Sequence, residues 1–324
     1  MKKKITIILF LSILVQLLGA QTEKKSHFFS IDISPSFGLM NGIVREYVID
    51  EECLNTGNIE SRLDWEVKNI PLFKTDADFY FWKIIHANIN FAFGIPKNSG
   101  IMQDYDWLNS LYSEWAADDP TELTNYSKSD NKLVQYNSFG LRLGADIPLP
   151  FKIKIMPSIG YEYNFLVMSS YGGIYKYKSN NWEEKTLSGK IISYKQEYNS
   201  FLLGLSLKSE TIPRTLIQAD FFISPYATSI NCLDLHLVRY TAFLDKIKYT
   251  LLLKGSAQVM YSFSSHHSAG IAGAFQYIPF SHGKDYQARI NSNEQTITKY
   301  AETGVDGGTE RMLWSVSLFY RLSL

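Results

Sequence analysis

Apolar and polar residues alternate with a period of two along most of the chain, the mark of strands whose two faces meet different surroundings. Phe29, Ile31 and Ile33 alternate with Ser30, Asp32 and Ser34. Ile153, Ile155, Ile159, Tyr161, Tyr163 and Phe165 alternate with Lys154, Ser158, Gly160, Glu162 and Asn164. Leu251, Leu253, Val259 and Tyr261 face away from Leu252, Lys254, Gln258 and Met260, and Trp314, Val316, Leu318 and Tyr320 from Ser315, Ser317, Phe319 and Arg321. After residue 20 no apolar run approaches the ~18–20 residues of a membrane helix. The pattern predicts ten strands, at roughly 28–47, 61–81, 86–104, 133–148, 151–175, 190–208, 214–228, 246–263, 268–285 and 309–324. The joins alternate between short and long, the long ones near 48–60, 105–132, 176–189, 229–245 and 286–308.

Such alternation suits a soluble sandwich or a membrane barrel. Strand length separates them, because several segments reach about fifteen residues or more where sandwich strands average about five or six. Composition adds a second reason. The chain has 15% aromatic residues, with Tyr 21, Phe 20 and Trp 6, gathered toward strand ends as in interfacial girdles. In lipid every backbone group must pair within the sheet, so the sheet has to close. The expected fold is all-β, a ten-stranded antiparallel transmembrane β-barrel with short turns at one end and long extracellular loops at the other. It forms one domain over 21–324.

Residues 1–20 carry Lys2, Lys3 and Lys4, an apolar run from Ile5 to Leu18, then Gly19 and Ala20. That is the order of a secretory signal with cleavage after Ala20, the alternative being an N-terminal membrane anchor. The chain has 32 basic and 32 acidic residues, and this balance argues against nucleic acid as a partner. Two cysteines exclude a disulfide-dense scaffold or a Cys-rich zinc module. No cofactor is implied.

Two spots could carry chemistry. In Gln103-Asp104-Tyr105-Asp106-Trp107, Asp104 and Asp106 share a face at spacing i, i+2. In Asp234-Leu235-His236, a carboxylate and an imidazole do the same, and a carboxylate beside histidine orients the ring and strengthens it as a base. Taken singly, the first reads as solvated surface or a Ca²⁺ ligand pair, and the second as an ordinary polar pair or part of a zinc site. No G-x-S-x-G sequence supports a serine nucleophile.

At these residues the chain resembles the omptins, outer-membrane endoproteases on a ten-stranded barrel. Ser61-Arg62-Leu63-Asp64-Trp65 with Lys68-Asn69 is similar to the family's second-strand segment, and Met102 to Trp107 to its D-x-D-W stretch. Asp119-Pro120-Thr121 with Leu123 and Asn125-Tyr126 resembles a family loop, Tyr194-Lys195-Gln196 with Gly204-Leu205 its sixth strand, and Asp234-Leu235-His236 its D-x-H pair. The resemblance implies that Asp234 and His236 form a dyad facing Asp104 and Asp106 across an extracellular groove. A water held between them attacks the peptide carbonyl without an acyl-enzyme. The substrates implied are peptides or proteins at the cell surface.

The resemblance also exposes departures. Glu46 falls at the family's acidic contact for a basic substrate residue, while Cys232 replaces the second acid there, so the expectation is relaxed preference for basic residues. Cys232 and Cys53 form a candidate disulfide at an oxidising surface. Tyr163 and Phe165 stand where omptins hold lipopolysaccharide with Glu and Arg, and Glu197 replaces a further arginine, leaving Lys248. Dependence on lipopolysaccharide is therefore expected to be weak. Two other readings compete, a non-catalytic barrel for adhesion or surface binding and a porin-like channel. Bulky inward positions such as Leu252, Met260 and Phe319 argue against the channel.

Overall fold

The computed structural model describes residues 28–50, 59–82, 84–108, 121–291 and 296–324. The expected signal segment, Cys53 and the Asp119-Pro120 step lie outside the described residues. The strands are β1 (Phe29–Asp50), β2 (Ser61–Phe81), β3 (Ile85–Gly94), β4 (Lys97–Asp106), β5 (Asn125–Ala145), β6 (Ile147–Leu149), β7 (Ile153–Tyr177), β8 (Lys185–Ser209), β9 (Thr215–His236), β10 (Thr241–Ser262), β11 (His267–Asn291), β12 (Thr296–Ile297) and β13 (Ala301–Ser323). Every neighbouring pair is antiparallel, and β1 pairs with both β2 and β13, which closes the ring. With β3 and β4 as two halves of one stave, and the short β6 and β12 set aside, ten staves form the barrel.

The two halves correct the expectation of one continuous third strand over 86–104. Pro96 lacks an N–H and cannot continue the ladder, so pairing stops at Gly94 and resumes at Lys97. A second difference is length. Strands β9 and β10 run to His236 and from Thr241, so only 237–240 joins them where 229–245 was expected as loop. Much of what reads as polar loop is strand standing clear of the membrane.

The outward face shows why. Phe37, Leu39, Phe91, Leu141, Phe201, Leu205, Phe221, Val259, Trp314 and Leu318 all point out exposed, from the half of each strand nearer Phe28 and Leu324. Beyond the mid-strand bulges, at Met40/Gly42, Ile247/Thr250 and Ile278/Ser281, the outer wall turns ionic. There Arg45 pairs with Asp64 at 3.2 Å and Glu310 at 2.8 Å, and Lys195 with Glu197 at 3.0 Å. A 25-residue strand such as β11 is ~80 Å long, or about 60 Å tall when tilted, against an apolar band of about 25 Å. More than half of its length therefore lies outside lipid.

Inside, two polar spaces are separated by a packed layer. The membrane half encloses a cavity of about 270 Å³ whose lining includes Lys74, Asp78, His86, Arg142 and Arg321. His86 Nε2 pairs with Asp78 Oδ1 at 2.7 Å, Arg142 with Asp220 at 3.7 Å and Arg321 with Asp32 at 3.8 Å, while Lys74 donates to Ser315 Oγ. Above it Met40, Trp65, Met102, Leu166, Met168 and Tyr194 form a continuous apolar core, with Trp65 and Tyr194 stacked at 5.7 Å. Leu252, Met260 and Phe319 are buried in the lumen, as their inward parity predicted. This filling is the reverse of an open channel.

Candidate functional site

On the other side of the apolar layer, away from Phe28 and Leu324, lies a cavity of about 350 Å³. One wall comes from the end of β4, where Asp104 and Asp106 are both buried and face inward. Asp104 sits opposite Leu63 of β2 and Ser127 of β5, and Asp106 opposite Ser61 and Asn125. Asn125 Nδ2 donates to Asp106 Oδ2 at 3.1 Å, and the Asp106 carbonyl accepts from Thr124 N and Oγ1 at 2.8 and 3.0 Å. Thr124 and Asn125, at the entry to β5, thus hold Asp106 in place.

The facing wall comes from the end of β9. His236 Nε2 lies 2.5 Å from Asp234 Oδ2, and the ring meets Phe243 of β10 edge-on at 5.3 Å. Both residues and both β4 aspartates line the same cavity, although they are far apart in the chain. Burial, then the Asp106 carboxylate, pushes Asp104 up to about 8, while His236 and Arg239 pull the other way. Burial disfavours the His236 imidazolium, yet the Asp234 charge and hydrogen bond outweigh it and hold this pKa above its ordinary value. The result is a proton-hungry imidazole facing a carboxyl pair that shares charge poorly. Such a cleft can bind water and shuttle its protons.

Glu46, on β1, lines the cavity and is buried, and burial with the nearby Asp234 and Asp245 charges raises its pKa well above the usual carboxylate range. Cys232 is not among the lining residues. It is buried with a free thiol beside Tyr194 and Gln196, and burial raises that thiol's pKa. Sequence reasoning passed over Arg239, Asp245 and Asp285, which also line the cavity. Asp245 carried a readable signal, an acid at an inward position between Phe243 and Ile247. With 229–245 read as loop, its parity went unread.

The Omptin family model matches residues 27–322, nearly the whole described barrel. The chain belongs to the omptin family. A plasminogen activator of Yersinia pestis is 26% identical over 178 residues, covering 55% of this chain and 54% of that protein, so the match spans about half the length of this curated relative. The crystal structure of the outer membrane protease OmpT from Escherichia coli superposes with a TM-score of 0.79 at 19% identity, covering 94% of this chain and all of that one. The likeness to that structure is one of fold. This omptin is thus an outer-membrane β-barrel whose cavity lies at the end away from Phe28 and Leu324.

Proposed function

We propose that this omptin is an endopeptidase of the cell surface that hydrolyses peptide bonds with an activated water. The observation that carries the reading is the shared cavity, with the Asp234–His236 contact on one wall and Asp104 and Asp106 on the other. Asp234 engages Nε2, so Nδ1 is the nitrogen left to take a proton from a water held against the Asp104/Asp106 pair. The water oxygen attacks the carbonyl carbon, and Asp234 stabilises the imidazolium that forms. The same proton then passes to the departing amine, which restores His236. Holding water, base and carbonyl together supplies the main advantage over solution.

The relatives' names, plasminogen activator and outer membrane protease, describe those proteins. What they lend this reading is peptide-bond chemistry, with cell-surface peptides and proteins as substrates. Export with removal of residues 1–20 belongs to it, as does an extracellular position for the cavity. On the outer wall Lys195 lies over the Phe165 ring at 5.5 Å and is paired with Glu197 at 3.0 Å, so its charge is already compensated, which supports a weak lipopolysaccharide requirement.

The test is cleavage of a random peptide library by the refolded barrel, with sites read by mass spectrometry, beside Asp104→Asn and His236→Ala. Cutting by the parent and none by either variant, all three folded, is the expected result. Uncut peptides throughout would favour the non-catalytic adhesion barrel.

A further inference from the structure

Attack of water on a peptide carbonyl turns the carbonyl oxygen into an oxyanion, and catalysis of that step needs preorganised donors aimed at it. The cavity is a poor place for a new negative charge, because seven carboxylate side chains line it. They crowd one another across the strands: Asp245 of β10 stands directly opposite Asp285 of β11 on one side and Cys232 of β9 on the other. Of the neutral donors on the walls, Asn125 and Thr303 already donate to Asp106 Oδ2 and Asp285 Oδ2.

Beside His236, the one cation among the described lining residues is Arg239. It sits in the turn 237–240, three residues past His236. Neighbouring strands pin that turn at both ends. Leu237 N donates to Ile191 O of β8 at 3.0 Å, and Ile290 N of β11 donates to Tyr240 O at 2.8 Å. Thr241 Oγ1 donates to the Arg239 carbonyl at 3.1 Å. The backbone is thus fixed, while the long side chain of an exposed residue keeps its reach over the cavity. Its charge acts on both walls, opposing protonation of Asp104 on β4 and of His236 on β9. Burial disfavours the guanidinium charge, but the Asp106 and Asp104 charges outweigh it and raise the pKa. A guanidinium therefore stays charged here and offers five donors in a fixed fork.

Building on the endopeptidase reading, we propose that Arg239 is a catalytic residue of this omptin, donating from its guanidinium to the carbonyl oxygen as that oxygen becomes anionic. His236 takes one water proton at Nδ1, the water oxygen bonds to the carbonyl carbon, and the carbonyl π pair moves onto the oxygen that faces Arg239. On collapse that pair re-forms the C=O bond and the C–N bond breaks. His236 returns its proton to the amine, and the carboxylic acid product ionises into solvent. Arg239 keeps every proton throughout and lends only hydrogen bonds and charge.

The test uses the full-length refolded barrel with Arg239→Ala and Arg239→Lys, their thermal midpoints confirming the fold. Arg239→Ala should lower kcat by about 100-fold or more and change KM by less than about threefold. Lysine keeps the charge without the fork and should fall between, and added guanidinium should restore part of the alanine variant's rate. Two uncleavable peptides separate catalysis from support: one carries a phosphinate at the cleaved bond, tetrahedral and anionic, the other a hydroxyethylene, tetrahedral and neutral. Arg239→Ala should weaken the phosphinate peptide by about 100-fold and leave the other unmoved. Arg239→Lys carries the same comparisons if the alanine variant does not fold. Equal weakening of both peptides would make Arg239 a support of the cavity, and a rise in KM alone would make it a contact for the ground-state substrate. Either result, or an unchanged kcat, overturns the proposal while a cutting parent keeps the endopeptidase reading. A parent that cuts no peptide sinks that reading, and the role of Arg239 goes with it.

Discussion

His236 Nε2 and Asp234 Oδ2 are 2.5 Å apart, on the same face of β9 two residues from one another. The contact fixes which ring nitrogen remains for a substrate water and raises the pKa of the imidazole. A general base must be neutral to act, so kcat/KM should rise with pH through a midpoint above the ordinary value of 6.5. Asp234→Asn removes the charge that holds the proton. It should bring that midpoint down and lower kcat/KM by about 100-fold or more. Initial rates on one peptide from pH 5 to 9 check both, and an unmoved midpoint would place the titration elsewhere.

Asn125 supplies the side-chain donor to Asp106 Oδ2. A hydrogen bond to a charged group contributes about 1.5–3 kcal/mol. Asn125→Ala should therefore cost roughly 10- to 100-fold in kcat/KM by loosening the carboxylate pair, with the thermal midpoint little changed. Asn125→Asp, which sets a third carboxylate against the pair, should do worse than alanine.

Crowded acids make the barrel pH-sensitive in an unusual direction. Asp104 is raised from 3.8 to about 8, and Glu46 and Asp245 are also raised. The folded barrel therefore holds protons that the unfolded chain releases, and stability falls as pH rises from about 4 toward 8. Asp245→Asn removes one such group. Its thermal midpoint in detergent should exceed the parent's at pH 7.5 and match it at pH 4. A variant less stable than the parent at pH 7.5 would show that the aspartate is satisfied in the empty cavity.

The layer beneath the cavity should resist truncation poorly. Trp65 is fully buried and stacks on Tyr194, so Trp65→Ala leaves a void costing about 3–5 kcal/mol. Urea unfolding in micelles measures the loss. Because Tyr194 pairs across the ladder with Asp234, peptide cleavage should fall as well.

What the chain order made legible was whatever depends on neighbours along the strand. Alternation at Ile153 to Phe165 and Trp314 to Tyr320 fixed inward and outward faces, and the absence of helical spans left a closed sheet as the structure that satisfies every backbone group in lipid. The i, i+2 spacing likewise put Asp104 beside Asp106 and Asp234 beside His236. Legibility ended where strands left the membrane. There the outer wall becomes ionic, as at Arg45, Asp64 and Glu310, so polar residues at strand tops resemble loop. That is how the inward parity of Asp245 escaped notice.

The sequence by itself determined a barrel and two short acidic motifs, because period-two patterning and local spacing need no knowledge of distant partners. The tertiary structure alone decided that β4 and β9 turn their ends into one cavity, and that Asp245 stands between Cys232 and Asp285. Those relationships depend on ring closure and on register across many hydrogen-bonded strands, and register is a property of pairs of segments that no single segment carries.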